Sequence, residues 1–174
     1  MKLGNILLAA SIFAGAATTA SAAEFTNYKG LTKHLKAEAK KNGEFATTSE
    51  VKHAQEAKDW AIVDVRTMEE YQAAHIPGSI RVGRQGPEKA LAAVVLDDND
   101  KFIKPNIIVV CNTASRASIE AQTFKMMGFD KVKIYDIVSW IDECNPVANM
   151  YSKKKDKHGS KQKFGTFTPA ICIK

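Results

Sequence analysis

Six consecutive residues have the types and spacing for covalent chemistry: Cys111-Asn112-Thr113-Ala114-Ser115-Arg116. An ionised cysteine is a strong nucleophile, and its surroundings decide whether it is ionised. Just before it stand Ile107-Ile108-Val109-Val110, four β-branched residues that predict a strand buried on both faces. From Ala117 the pattern turns helical: Ala117, Ala121 and Phe124 share a face, and Gly128 marks the stop. The cysteine thus falls in a short turn between a buried strand and a helix N-terminus. Unpaired N–H groups and the positive end of the helix dipole favour an anion there, so a lowered thiol pKa is expected. Arg116 closes the turn and adds a fixed positive charge. The competing reading is a structural cysteine at the end of a core strand.

The elements needed to position this turn lie on both sides of it. Upstream, Trp60–Val65 reads as a second buried strand, followed by Arg66 and a helix that opens at Thr67-Met68-Glu69-Glu70-Tyr71. His75 precedes a Pro77-Gly78 turn, and the expectation for it is packing in that turn rather than catalysis. A short strand is expected over Ser79–Val82, then Arg84 in a loop, then a helix from Pro87 to Val95. Asp97-Asp98-Asn99-Asp100 lacks the spaced ligands of a calcium loop and reads as a polar turn. Downstream, Lys131–Tyr135 alternates as a strand, and Ile137, Val138, Trp140 and Ile141 suggest a closing helix. This alternation predicts an α/β fold with a central, mostly parallel sheet and helices on both faces. A ligand at the carboxyl end of the 107–110 strand fits the general rule for open α/β sheets. Residues 23–59 form a helical lead-in with Leu31, Leu35 and Ala39 on one face and a second helix over Glu50–Lys58, capped by Thr48 or Ser49. The domain is expected over 60–146, ending at Asn145-Pro146, with a basic tail over 147–174.

The chain has 174 residues, 45% of them hydrophobic, enough for one packed domain, and a formal net charge of +6. Residues 1–22 have the plan of a secretory signal: Lys2, an apolar run from Ile6 to Ala17, and Ala20-Ser21-Ala22 as the cleavage site. The expected location is therefore periplasmic or secreted. Three cysteines follow the expected cleavage site: Cys111, Cys144 and Cys172. An odd count leaves a free thiol, and Cys111 is the natural one, with Cys144 and Cys172 as a disulfide. Spacing leaves the rival pairings open. The basic run from Lys153 to Lys163 reads as solvated, with an acidic partner or membrane surface as the alternative. There is no glycine-rich phosphate loop, zinc-ligand spacing or nucleic-acid module.

Three strings carry a family resemblance: D-V-R-x-x-x-E-Y from Asp64, H-I-P-G-S-I from His75 and C-N-T-A-S-R-A from Cys111. Together they resemble a rhodanese-like sulfurtransferase domain, and the cysteine loop is most similar to periplasmic polysulfide-sulfur transferases of the Sud type. The resemblance spans roughly Trp60 to Pro146. It implies sulfane-sulfur transfer through a Cys111 persulfide, with Asn112, Thr113, Ala114, Ser115 and Arg116 as the substrate-binding loop. Arg66 and Arg84 join Arg116 as expected donor-binding cations, and Asp64 with Arg66 is expected to hold the sheet edge. A simple Arg66–Glu70 ion pair is the bland alternative. The implied donors are polysulfide or thiosulfate, the implied acceptors cyanide, sulfite or a thiol, and no metal or organic cofactor is needed. Implied partners are a membrane sulfur or polysulfide reductase, and a homodimer is admitted. Two departures stand out: Ala114 where many relatives have glycine, and Tyr135-Asp136 where a glycine pair is usual. The larger pair is expected to narrow the pocket or change its charge. A sulfur carrier without significant turnover is the alternative function, and a Cys111–Cys144 redox protein a third reading. The absence of Cys-x-x-Cys opposes the third.

Overall fold

The computed structural model describes residues 27–150 and 165–173. The signal sequence expected over 1–22 and the basic run 153–163 lie outside the described residues.

The core strand is β3, Asn106–Cys111, and all six residues are buried. It lies between β1 (Trp60–Asp64) and β4 (Lys131–Asp136), with β2 (Ile80–Arg81) outside β1. The order β2-β1-β3-β4 is parallel throughout. Phe45 adds a parallel bridge to Ile134 on the far edge. Among the described residues six α-helices surround the sheet: α1 (Tyr28–Lys41), α2 (Thr48–Glu56), α3 (Met68–Ala73), α4 (Pro87–Val95), α5 (Ser115–Met126) and α6 (Ile137–Asp142).

Alternation along the strands divides the core into two layers. Ala61, Val63, Ile107, Val109 and Cys111 face one cluster, which Leu91 and Val95 of α4 and Ala117, Ala121 and Phe124 of α5 complete. Ile62, Ile108 and Val110 face the other, with Val51 and Ala54 of α2 and Ile137 and Trp140 of α6. Burial of each large aliphatic side chain contributes about 1.5–3 kcal/mol, so β3, apolar on both faces, is the anchor of both layers.

The expected strands and helices form, with shifted ends. The α2 cap is Thr47, not Thr48 or Ser49, because Glu50 stands three residues on and closes a capping box with it. The α5 helix opens at Ser115, earlier than the apolar pattern from Ala117, because Ala114 itself caps it. Beyond Pro146 the chain continues as β5 (Val147–Asn149), which pairs antiparallel with β6 (Gly165–Phe167). Val147 is 2% exposed and part of the second cluster. This ribbon docks on the end of α3 through reciprocal His75–Ala148 backbone bonds of 2.8 Å. A disulfide between Cys144 and Cys172, with Cα atoms 5.6 Å apart, ties the 3-10 turn Ala170–Cys172 to the end of α6.

Candidate active site

Cys111 is the last residue of β3 and the one free cysteine, buried at 1% exposure. The chain turns back over it within three residues. Ala114 makes the turn in the left-handed region, φ 57° and ψ 0°, and caps α5. A β-carbon in that conformation costs about 1 kcal/mol, which glycine avoids. The backbone N–H of Ala117, in the first turn of α5, donates to the Cys111 sulfur at 3.4 Å. The sulfur therefore sits at the positive end of a twelve-residue helix.

The side chains of the loop hold it in place. Asn112 donates from Nδ2 to Glu70 at 2.6 Å and accepts at Oδ1 from Arg66 at 3.3 Å. Arg116 grips the same Glu70 carboxylate with two bonds, of 2.6 and 2.7 Å. Thr113 is exposed and donates its hydroxyl to Ser115 at 3.3 Å. Glu70 is thus the hub of the loop, and it is itself fixed: Thr67 N donates to its carboxylate at 2.9 Å, the return half of the α3 capping box. Chiefly the Arg116 bonds hold the Glu70 carboxyl far below its ordinary range, at about 2. Reciprocally, Glu70 first and the Cys111 sulfur second-hand raise the Arg116 pKa, so its charge is permanent.

Arg66 is 4% exposed and makes a different pair from the Glu70 pair weighed above. Its Nε and Nη2 bond Asp64 at 2.7–3.0 Å, and Nη2 also reaches the Ala74 carbonyl at 2.7 Å. Such a buried pair clamps the ends of β1 and α3 together beside the loop, as the resemblance implies. Arg84 is exposed and lines a cleft of about 360 Å³ between Thr67–Glu69 and Arg81–Gln85, among whose lining no cysteine-loop residue appears. Its electrostatic partner is Glu120 of α5, whose pKa burial and Glu88 push up while Arg84 pulls it down. The structure thus brings Arg66, Asn112 and Arg116 together around Glu70, while Arg84 lines the neighbouring cleft beside Thr67–Glu69.

Of the two larger residues, Tyr135 turns away from the cysteine and Asp136 stays beside it. Tyr135 points into the opposite layer, 3% exposed, and shares a 2.7 Å bond with the Thr48 hydroxyl. Asp136 stands in register beside Cys111, and its carboxylate caps α6 by accepting from Ser139 N and Oγ at 2.8 and 3.0 Å. His75 packs as expected, stacked on Tyr71 and bonded through Nδ1 to the Tyr71 carbonyl at 2.8 Å, with burial lowering its pKa. Among the described residues no cluster of three metal-ligating side chains occurs. Glu70 is the residue that sequence reasoning undervalued. The string Thr67-Met68-Glu69-Glu70 was the available clue, because a capping box fixes Glu70 at the start of α3.

The fold and the loop define a class: a parallel α/β domain with a free cysteine at the carboxyl edge of its central strand, cradled by a helix N-terminus. The family model for the rhodanese-like domain matches residues 47–140, and the chain belongs to that family. A Bacillus subtilis (strain 168) protein named "Putative sulfur carrier protein YrkF" is 39% identical over 71 residues, 41% of this chain and 35% of that protein. The chain therefore spans about a third of that relative's length. Among solved structures, the polysulfide-sulfur transferase homodimer from Wolinella succinogenes superposes with a TM-score of 0.54 at 24% identity, over 71% of this chain and 88% of that one.

Proposed function

We propose that the protein is a sulfurtransferase that moves sulfane sulfur through a Cys111 persulfide. The observation that carries this reading is the placement of the free thiol against the Ala117 N–H, within a loop whose backbone donors open α5. In the first step the Cys111 thiolate attacks an outer sulfur of an anionic donor. A Cys–S–S⁻ bond forms, the donor S–S bond breaks, and its electron pair leaves with the shortened donor. In the second step an acceptor such as cyanide, sulfite or a thiolate takes the outer sulfur and the thiolate returns. Negative charge stays on sulfur throughout, and fixed N–H donors stabilise it without reorganising.

Polysulfide is the proposed donor, on the strength of the C-x-T-A-x-R-A loop, and thiosulfate is the runner-up. With Arg66 and Arg116 both tied to carboxylates, the loop N–H groups and the α5 dipole bear most of the donor's charge. We also propose an exported protein, supported by the pattern of residues 1–22 and by a disulfide, which persists in oxidising compartments. N-terminal sequencing of exported material should begin at Ala23; finding Met1 would refute this. A carrier with little turnover is the second reading, favoured by the name of the Bacillus relative.

Mass spectrometry after polysulfide treatment tests the core of the proposal. The protein should gain ~32 Da per stored sulfur on Cys111 and lose it on adding cyanide. Cys111→Ser should form no adduct and transfer no sulfur while keeping its circular dichroism. Wild-type transfer by that variant would overturn the mechanism. A persulfide that cyanide and thiols cannot discharge would replace the enzyme with the carrier.

A further inference from the structure

A second feature borders the cysteine loop and is unused by the mechanism above. Helix α1 carries Lys29, Lys33 and Lys36 at the i, i+4, i+7 spacing of one helix face. They line a groove of about 420 Å³ with Tyr28, Thr32 and Ser115, and Ser115 belongs to the cysteine loop. None of the three lysines has an ion-pair partner among the described residues. The one acidic side chain of α1, Glu38, pairs instead with His34 at 3.3 Å. The contrast with the other cations at the site is sharp: Arg66 and Arg116 are each neutralised by a carboxylate.

We infer that this groove is a binding subsite for the carboxylates of an organic thiol, or of its persulfide, that exchanges sulfur with Cys111. The inference rests on the persulfide reading above. Its argument is one of distance. In polysulfide or thiosulfate the charge lies on or next to the reacting sulfur, so the loop donors meet it. A carboxylate-bearing thiol holds its charges several bonds from its sulfur. Three lysines spread over ~10 Å of helix suit such remote charges. The groove reaches the loop at Ser115, and its lining includes the long-stemmed lysines and the exposed Tyr28, which suit an organic backbone. The step is balanced: the thiolate R–S⁻ takes the outer sulfur of Cys111–S–S⁻, giving R–S–S⁻ and the Cys111 thiolate.

Stopped-flow discharge of the preformed persulfide tests this, using 2-mercaptoethanol, 3-mercaptopropionate and mercaptosuccinate, which carry none, one and two carboxylates. Rates are compared per thiolate. Wild-type kcat/KM should rise with carboxylate number, about 3- to 10-fold from none to two, the range expected for partly exposed charge pairs. The rise should shrink at high salt. It should vanish in Lys29→Gln/Lys33→Gln/Lys36→Gln, a variant whose glutamines preserve helix propensity. Discharge by cyanide, which cannot span the groove, should be equal in both proteins. A wild-type rate independent of carboxylates, or the same rise in the variant, would overturn the inference while leaving the persulfide chemistry standing. Failure of cyanide discharge in the wild type would instead strike the sulfurtransferase reading.

Discussion

Replacing Glu70 by glutamine removes one charge and one acceptor oxygen from the hub of the cysteine loop. Asn112 donates to Oε1 and Thr67 N to Oε2, so the single amide oxygen keeps one of these bonds and the amide NH2 faces the other donor. What disappears is the carboxylate that Arg116 grips at 2.6 and 2.7 Å. The Glu70 pKa falls from its ordinary 4.5 to about 2. At ~1.36 kcal/mol per pH unit, that gap corresponds to ~3.4 kcal/mol for a fully shielded pair. The side chains are 29% and 17% exposed, so solvent and salt screen the pair. The expected loss of stability at neutral pH is therefore about 1–2 kcal/mol. The sign follows from the depressed folded value. The contribution is complete above the unfolded pKa of 4.5 and is lost as pH falls through about 2. At pH ~3 the wild type should retain only about four tenths of it. Urea unfolding of both proteins at pH ~7 and pH ~3 provides the assay, because all other carboxylates cancel in the difference. A neutral-pH gap under ~0.3 kcal/mol, or a gap that stays the same at pH ~3, would refute the reasoning.

Arg116→Ala removes the cation that interacts with the Cys111 sulfur and leaves Glu70 unpaired at the loop, so transition-state stabilisation should fall by about 2–4 kcal/mol, read from kcat/KM for the donor. Adding Glu70→Gln to it should recover part of that loss; a double variant slower than Arg116→Ala would count against the pairing. Ala114→Gly should change unfolding free energy by less than ~0.5 kcal/mol, since relief of the positive φ offsets the loss of a buried methyl. Ala114→Val should cost more than ~2 kcal/mol, because a β-branched residue is a genuine outlier at φ 57°. Replacing Cys144 and Cys172 by serine should lower stability by about 3–4 kcal/mol, measured by thermal or urea unfolding, for a link across 28 positions. Sulfur transfer at room temperature should persist in that double variant.

The fold was legible where local pattern and burial agree. Ile107–Val110 could only be an interior strand, and the Cys111 turn followed from the change of period after it. Pro87–Val95 is bounded as its proline predicts, since the missing N–H fits the first helical turn. The partners of the arginines were not legible. Arg66 and Asp64 are neighbours in sequence, but their pairing depends on how the chain bends after β1. Glu70 and Arg116 are 46 residues apart, and only the packing of α3 beside the start of α5 brings them together. The Tyr135 departure looked like a pocket residue because register was unknown. Its position on β4 turns it to the layer opposite Cys111. The α1 lysines were visible as charges, but nothing local says which surface their helix would meet.

The pairing of β5 with β6 has a consequence for how this chain can change. Asn149 and Gly165 are directly opposed, so the backbone leaves and re-enters the domain within one strand spacing of ~4.8 Å. Whatever lies between those two positions is closed by the ribbon, and the disulfide fastens the returning arm a second time. Doubling the length of such an interval costs only about 0.6 kcal/mol of closure entropy. The β5–β6 pair is therefore a closed base: an insertion between Asn149 and Gly165 need move neither strand, so evolution can lengthen the chain there or a designer can graft a reporter or a second binding domain. The graft would sit at the end of α3, the same helix that carries Glu70, and so one element away from the chemistry.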